Sequence, residues 1–253
     1  LQPLKLALIT TATTEVAIIR TQKEIFAMSD TSTNQTTLSP QRPLDVVVMA
    51  AGKGTRMKSR LPKVLQRLAG KPLLGHVLDT AAHLQARSAV VITGHGADEV
   101  EAAVAQQASG LAVKFVRQEP QLGTGHAVQQ AVPVLADDGL VVVLSGDVPL
   151  THADTLQTLI ACVRQAGATA DSLALLTLDM PNPTGYGRIV RTAQGDSVQA
   201  IVEQKDASPE QLKIQEVYSG IMAVPAKQLK SWLAKLDNKN AQGEYYLTDV
   251  VKW

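Results

Sequence analysis

Residues 44–63 read LDVVVMAAGKGTRMKSRLPK, and the fold can be worked out from this stretch. Its first six residues are mostly apolar and rich in valine, which is typical of a strand buried on both faces of a sheet. Small residues and two glycines follow at 50–54 and leave backbone amides free to face a ligand. Arg56 and Lys63 add two positive charges to the same loop. This pattern indicates a polyphosphate site, and the alternative is an ordinary strand-to-helix turn with solvated cations.

Strand and helix patterns alternate after this loop. Apolar, β-branched runs predict strands, and apolar residues at helical spacing predict helices. Such alternation predicts an α/β, Rossmann-like fold with a central, mostly parallel mixed sheet flanked by helices. The predicted strands are 89–93, 111–116, 140–144 and 172–178, and the predicted helices are 72–85, 97–107, 124–135 and 151–165.

The pattern changes beyond Asp179. Shorter strands are predicted at 188–191, 198–202 and 217–224, and an amphipathic helix at 226–235. We therefore divide a domain at 44–253 into a nucleotide-binding half, 44–179, and an acceptor half, 180–253. Residues 1–43 form an extension for which we predict disorder, and its stretch at 29–43 is polar and has no periodicity. Met28 reads as a natural start, so we expect residues 1–27 to be upstream sequence carried into the reading frame.

A carboxylate follows the predicted strand at 140–144, in the sequence Ser145–Gly146–Asp147. Ligands of open α/β sheets bind beyond the carboxyl ends of the strands. Mg²⁺ takes oxygen ligands, with one or two carboxylates from the protein and the rest from phosphates and water. Asp147 is therefore a candidate Mg²⁺ ligand. The alternative, a helix N-terminal cap, suits Thr151 better.

A third stretch, 117–126, follows a strand and opens a helix. Gln118 and Gln121 each offer an amide donor and an acceptor side by side, which match the edge of a pyrimidine base. Gly123, beside Thr124, opens the backbone for further contacts. By itself this is a weak signal, because such loops are common.

Composition excludes several classes of function. A net charge of +1 gives no electrostatic case for a nucleic acid partner. The single cysteine, Cys162, excludes an intrachain disulfide and a cysteine metal cluster. No apolar run is long enough to span a bilayer, so no membrane partner is expected.

The motifs resemble those of the sugar nucleotidyltransferases, whose loop reads A-A-G-x-G-T-R-M followed by P-K. The longer match MAAGKGTRMKSRLPKVL resembles the uridylyltransferase domain of the bifunctional N-acetylglucosamine-1-phosphate uridylyltransferase/glucosamine-1-phosphate acetyltransferase family. QLGTGHA, GDVPL, PTGYGR, IVE-x-KDA and NAQGEYYLTD follow in that family's order. The resemblance covers residues 45–252.

The resemblance implies a role for each part of the site. Arg56 and Lys63 hold the phosphates and, with Asp147, form the catalytic set, while Asp147 and Asn240 bind Mg²⁺. The residues implied to contact the nucleotide or the N-acetylglucosamine are Met49, Ala50, Ala51, Gly52, Lys63, Gln118, Gln121, Gly123, Thr124, Ser145, Gly146, Asp147, Gly187, Glu203, Tyr218 and Asn240.

Two positions depart from the family's pattern. Tyr218–Ser219–Gly220 stands where the family usually has Asn–Thr–Gly, and Ser145 stands where it usually has Tyr. Tyr218 is much larger than asparagine, although its hydroxyl is a donor. The departure at Tyr218 bears on the choice of sugar.

By resemblance, the reaction converts UTP and N-acetylglucosamine 1-phosphate into UDP-N-acetylglucosamine and pyrophosphate. It would take place in the bacterial cytoplasm, for peptidoglycan and lipopolysaccharide synthesis. The family's second half is a left-handed β-helix that carries acetyltransferase activity and builds a trimer. The chain stops before that half, so we expect no acetyl transfer. Without the β-helix, a monomeric state is an open alternative for this chain.

Three alternatives stay open. The chain could transfer another nucleotide or use another sugar, it could be a nucleotide-sugar binding module without catalysis, or it could be a dinucleotide-binding oxidoreductase domain. The last fits least, because the glycine spacing differs from G-x-G-x-x-G.

Overall fold

The structure is a computed structural model that describes residues 4–10, 42–54, 57–106, 110–165, 172–195 and 197–253. Arg56 and most of the stretch predicted to be disordered lie outside these residues. Among the helices described, none has the length and apolar character needed to cross a bilayer.

Eleven strands are present in the described residues, and all but two of them join one sheet. They are β1 (Leu4–Thr10), β2 (Leu44–Met49), β3 (Arg67–Leu68), β4 (Lys71–Pro72), β5 (Ser88–Thr93), β6 (Val113–Arg117), β7 (Leu140–Ser145), β8 (Ser172–Asp179), β9 (Arg188–Arg191), β10 (Val198–Val202) and β11 (Glu216–Pro225). Strands β3 and β4 pair only with each other.

The main sheet has the strand order β1-β8-β11-β7-β2-β5-β6. Strands β7, β2, β5 and β6 are neighbours that run parallel. Strand β11 runs antiparallel to both β7 and β8 and separates them. Therefore β8 points the same way as the parallel strands without pairing with them, and the predicted mixed sheet is confirmed.

In the part of the chain that the structure describes, five α-helices cover the sheet. They are α1 (Leu73–His83), α2 (Ala97–Ala105), α3 (Thr124–Gln129), α4 (Ala153–Gln165) and α5 (Ala226–Leu233). Each lies within a predicted helix, but the helix predicted at 124–135 ends early at Gln129. Pro133 explains this end, because proline lacks an N–H and its ring disfavours the α conformation in the preceding residue. A 3₁₀ turn at Val132–Val134 follows instead.

The hydrophobic core lies on both faces of the sheet. Val46 and Val48 belong to one cluster and Val47 to the other, and all three are fully buried. Fully burying a valine side chain contributes about 1.5–3 kcal/mol relative to leaving it exposed. The prediction that this strand is buried on both faces is confirmed.

Disorder was the wrong prediction for one part of the extension. Leu4–Thr10 forms β1, which pairs antiparallel with β8 from Leu4↔Leu178 to Thr10↔Ser172. The physical reason is that β8 would otherwise be an edge strand with unpaired backbone groups, and the extended segment Leu4–Thr10 pairs with them.

Candidate active site

Backbone hydrogen bonds bring three loops together at the carboxyl ends of the parallel strands. The Ala50 amide donates to Ile92 O at 2.9 Å, and the Gly146 amide donates to Met49 O at 2.9 Å. The Gln118 amide donates to Thr93 O at 2.8 Å. Each bond continues a strand ladder for one residue beyond the strand, so the loops start from fixed positions. This is the edge where the sequence predicted a site.

A cavity of about 540 Å³ opens between these loops. It brings together most of the residues predicted to bind nucleotide or phosphate. Its lining residues are Met49, Ala50, Ala51, Gly52, Gly54, Met57, Lys63, Val64, Gln118, Gln121, Gly123, Thr124, Ala127, Ser145, Asp147 and Glu244.

The cavity wall after β2 carries backbone amides for which the described residues supply no acceptor. The amides of Ala51, Gly52 and Lys53 donate to no other residue in the described part of the chain. Gly52 and Lys53 are exposed. Free amides of this kind bind phosphate oxygens well, since they offer donors without a desolvated charge. The first loop is therefore suited to an anion.

Lys63 and Asp147, which both line the cavity, form an ion pair with each other. Their side chains are 42% and 26% exposed, so water screens the pair and it contributes only about 0–1 kcal/mol to stability. The backbone of the first loop can pass close to Lys63 because residue 54 is a glycine. A Cβ at Gly54 would lie 2.7 Å from Lys63 Cβ. Because the pair is weak, a ligand phosphate can take over Lys63 and a cation can take over Asp147.

Hydrogen bonds hold the side chains of the two glutamines, one within its own loop and the other against the loop after β2. Gln118 is buried and donates from Nε2 to Gly123 O at 2.9 Å. Gln121 donates from Nε2 to Ala51 O. Both side chains line the cavity, so their amides are held in position before any ligand binds.

A segment near the chain's end closes the cavity beside α3. The Gly125 amide donates to Tyr245 O at 2.7 Å, and the Tyr245 amide donates to Leu122 O at 2.8 Å. The Leu247 amide donates to Thr124 Oγ1 at 3.0 Å. These bonds explain how Glu244 comes to line the cavity, although the sequence interpretation quoted its motif without selecting it.

Glu244 is not the only lining residue that sequence reasoning missed. Gly54, Met57, Val64 and Ala127 also line the cavity. The first three lie within or just after residues 44–63, the stretch that predicted the phosphate site. Ala127 follows His126 on α3, where helical spacing alone does not show which face meets a ligand.

The residues predicted to contact the sugar form a second group. The Tyr218 amide donates to Gly187 O at 2.9 Å, and a Cβ at Gly187 would lie 3.6 Å from Glu203 Oε1. Thr248, which sequence reasoning did not select, donates from Oγ1 to Glu203 Oε1 at 3.0 Å. Gly187, Glu203 and Tyr218 are therefore neighbours, although none of them lines the cavity itself.

Burial is the largest influence on the pKa of both titratable side chains in this second group. Burial raises the pKa of the Glu203 carboxyl, and nearby carboxylates on Asp206, Asp249 and Glu244 raise it further, while the Thr248 hydroxyl lowers it. Burial likewise raises the pKa of Tyr218, with a smaller contribution from Glu203. The Tyr218 hydroxyl is buried and has no hydrogen-bond partner among the described residues. An unpartnered buried hydroxyl costs about 1–3 kcal/mol, so a ligand oxygen that reached it would be bound favourably.

The raised pKa of Glu203 predicts a gain in stability on its neutralisation. The folded state holds this proton more tightly than the unfolded chain, so the resulting stability is present at acidic pH and is lost as the pH rises through the folded pKa. Burial penalises the charged form of the carboxyl in the folded state, and a neutral amide at this position does not carry that cost. We expect Glu203→Gln to raise the melting temperature at neutral pH by about 2 °C.

Thermal unfolding over a series of pH values tests this expectation. The gain should shrink as the pH falls and vanish below 4.5, the ordinary value for glutamate. The exposed Glu210→Gln is the matched control and should show no gain. A Glu203→Gln gain that did not depend on pH would contradict the electrostatic cause.

Asn240, predicted as a second metal ligand, is held in a turn. Its Oδ1 accepts the amides of Gln242 and Glu244, each at 3.2 Å, and its Nδ2 donates to Glu244 O at 2.6 Å. It is not among the residues that line the cavity. Asp147 lines the cavity and offers the carboxylate oxygens that Mg²⁺ prefers. Asp147 therefore fits a Mg²⁺ ion, and the role of Asn240 stays a prediction.

Comparison with known proteins gives the relationship of this chain. The family model described as the MobA-like NTP transferase domain matches residues 46–172, half of the chain. The chain is 70% identical over 213 residues to the bifunctional protein GlmU of Albidiferax ferrireducens, covering 83% of this chain and 44% of that protein. It is 69% identical over 208 residues to the bifunctional protein GlmU of Paracidovorax citrulli, covering 82% of this chain and 43% of that protein. The chain thus spans less than half the length of these curated relatives.

Solved structures share the fold at low sequence identity. A UDP-glucose pyrophosphorylase complexed with UDP-glucose superposes with a TM-score of 0.63 and 15% identity, over 83% of this chain and 86% of that one. A UDP-glucose pyrophosphorylase from Acinetobacter baumanii superposes with a TM-score of 0.59 and 21% identity, over 83% of this chain and 81% of that one. The predicted resemblance and the Rossmann-like fold are confirmed. The chain belongs to the family of MobA-like NTP transferase domains and is a nucleotidyltransferase.

Proposed function

We propose that the chain transfers a uridylyl group from UTP to N-acetylglucosamine 1-phosphate, giving UDP-N-acetylglucosamine and pyrophosphate. The observation that carries the proposal is one cavity that is lined both by Lys63 and Asp147 and by the two glutamines. The first pair suits a triphosphate and the second suits a pyrimidine. High identity to the bifunctional protein GlmU supports it. We place the reaction in the cytoplasm, where nucleoside triphosphates are held.

The nucleophile needs little activation. A sugar phosphate is already an anion, so no general base has to remove a proton before it attacks the α-phosphorus. The obstacle is electrostatic, because two anions must meet while charge grows on the departing pyrophosphate. Lys63 and the free amides of the first loop would bind and neutralise the phosphates, and we expect Arg56 to do the same. Holding the two substrates in line supplies the rest of the acceleration.

Asp147 is the residue that would hold a Mg²⁺ ion, which would add to this charge neutralisation. When bound, a magnesium ion polarises phosphate oxygens and stabilises the charge that develops on them. The chain's own contribution is to keep the Asp147 carboxylate at the cavity wall, paired with Lys63 until the substrates bind.

The acceptor side rests on Gly187, Glu203 and Tyr218. Glu203 offers a carboxylate acceptor for a sugar hydroxyl. A Cβ at Gly187 would lie 3.6 Å from Glu203 Oε1, so the glycine leaves the carboxylate accessible on this side. The unpartnered Tyr218 hydroxyl is a donor in the same group. Because Tyr218 fills space that the family usually leaves to asparagine, an altered sugar preference is the second candidate function.

A substrate panel tests the proposal. The full chain with Mg²⁺ is assayed for pyrophosphate release with UTP, CTP, GTP and dTTP against N-acetylglucosamine 1-phosphate, glucose 1-phosphate and galactose 1-phosphate. We expect the highest kcat/KM with UTP and N-acetylglucosamine 1-phosphate. Preference for another sugar would favour the second candidate, and tight UTP binding without pyrophosphate release would show a binding module instead.

A further inference from the structure

His126 lies behind the cavity, in contact with a residue that lines it. It belongs to α3, and its Nδ1 is 3.3 Å from the Nε2 of Gln118. Gln118 is only 5% exposed. The His126 ring also packs against Tyr245, with ring centroids 6.3 Å apart. The imidazole is thus held between a cavity-lining amide and the segment that closes the cavity.

The contacts of Gln118 fix which end of its amide is available to a ligand. An amide nitrogen has two hydrogens to donate, and the amide oxygen only accepts. Gln118 Nε2 has two acceptors within reach, Gly123 O at 2.9 Å and His126 Nδ1 at 3.3 Å. Two acceptors use both hydrogens. The oxygen Oε1 is then the end of the amide left for a ligand.

The orientation of this amide distinguishes one pyrimidine from another. The ring N3 of uracil carries a hydrogen and donates, whereas the ring N3 of cytosine accepts. An amide oxygen at the cavity attracts the first and repels the second. A reversed amide would place oxygen against Gly123 O and would present its donor to the base instead.

The tautomer of His126 decides whether the ring can hold this orientation. Gln130 Nε2 lies 3.2 Å from His126 Nε2, and it also donates to the His126 carbonyl at 2.9 Å. Neutral histidine accepts at only one ring nitrogen, so one of the two glutamines faces a ring N–H. A mismatched donor costs more at the buried Gln118 than at the half-buried Gln130, which water can reach. Nδ1 is therefore the acceptor, and the ring proton is on Nε2.

We propose that His126 is a positioning residue that holds the Gln118 amide with its oxygen toward the base and thereby selects uracil over cytosine. The inference rests on the proposed function and deepens it. His126 does not line the cavity, so its effect passes through Gln118.

Two substitutions at His126 test the proposal. His126→Leu removes the acceptor, and we expect it to raise KM for UTP about fivefold to tenfold, the range of one lost hydrogen bond. We expect the ratio of kcat/KM for UTP over CTP to fall by a similar factor, with KM for the sugar phosphate unchanged. His126→Asn places an amide oxygen as many bonds from the backbone as Nδ1 and should restore both values to within about twofold. His83→Leu, an exposed histidine on α1, is the control and should leave all of them unchanged.

A measurement on the unmodified protein keeps the proposal falsifiable if His126→Leu fails to fold. ¹⁵N chemical shifts of the histidine ring report which nitrogen carries the proton, and we expect it on Nε2. A proton on Nδ1, or an unchanged UTP-to-CTP ratio in folded His126→Leu, overturns the inference. Absence of UTP-dependent pyrophosphate release in the wild-type chain would refute the proposed function instead, and the ring tautomer would still test the positioning of Gln118.

Discussion

We expect Asp147→Ala to lower turnover at least about 100-fold, on the scale of a lost electrostatic contact with the transition state. The substitution removes the carboxylate that would hold Mg²⁺ at the cavity. It also leaves Lys63 without its ion-pair partner. The measurement is kcat for pyrophosphate release at saturating UTP, sugar phosphate and Mg²⁺. Turnover near that of the wild type under these conditions would refute the assignment of Asp147 to the metal.

Two controls separate the role of Asp147 in catalysis from a role in folding. The pair with Lys63 is partly exposed and weak, so Asp147→Ala should leave the melting temperature without Mg²⁺ almost unchanged. Lys63→Ala should also slow turnover, because it removes a cation from the phosphates. Only Asp147→Ala should raise the Mg²⁺ concentration needed for half-maximal rate. An equal shift in both variants would mean that the ion pair, and not the metal, is what Asp147 supports.

Gly123→Ala should destabilise the protein by about 2–3 kcal/mol and lower the melting temperature by about 4–12 °C. Gly123 has a φ of +108°, a conformation that is strained for any residue with a side chain. A Cβ at this position would lie 2.6 Å from Tyr245 O and 2.9 Å from Tyr245 N. These are backbone atoms that cannot move aside alone, so the closing segment must shift. Thermal unfolding measures the loss, and KM for UTP should rise with it.

Gly185→Ala is the matched control for this prediction. Gly185 has a φ of +88°, but a Cβ there would meet nothing within 4 Å. It therefore carries the backbone strain without the collision, and we expect a loss of about 1–2 kcal/mol. Equal losses in the two variants would mean that strain alone acts at Gly123 and that its close approach to Tyr245 does not matter.

Sequence patterns predicted the strands and helices of the domain closely, because burial imposes its periodicity on the chain. Strand β2 was predicted with the bounds it has, since a run of valine fits only a strand buried on both faces. The helix predicted at 124–135 was too long, although Pro133 was visible. The insertion of β11 between β7 and β8 was not predicted, because strand order depends on contacts between distant parts of the chain.

The candidate site was predicted in the same uneven way. The residues after β2, the two glutamines and Asp147 could be selected because each lies in a loop that follows a strand, and strand ends meet at one edge of a sheet. Glu244 and Thr248 could not be selected individually. They come from the last part of the chain and reach the site through hydrogen bonds to the loop at 122–125 and to Glu203.

The sequence alone determined the α/β fold, the candidate phosphate loop after β2 and the position of a carboxylate beyond β7, because each depends on the pattern and chemistry of consecutive residues. Only the tertiary structure decided that Lys63 pairs with Asp147, that Asn240 is held in a turn and that His126 contacts Gln118. It also made neighbours of Gly187, Glu203 and Tyr218, the residues predicted to contact the sugar, outside the cavity lining. The physical reason is that these contacts join residues brought together by packing, and their partners depend on where each backbone segment comes to lie.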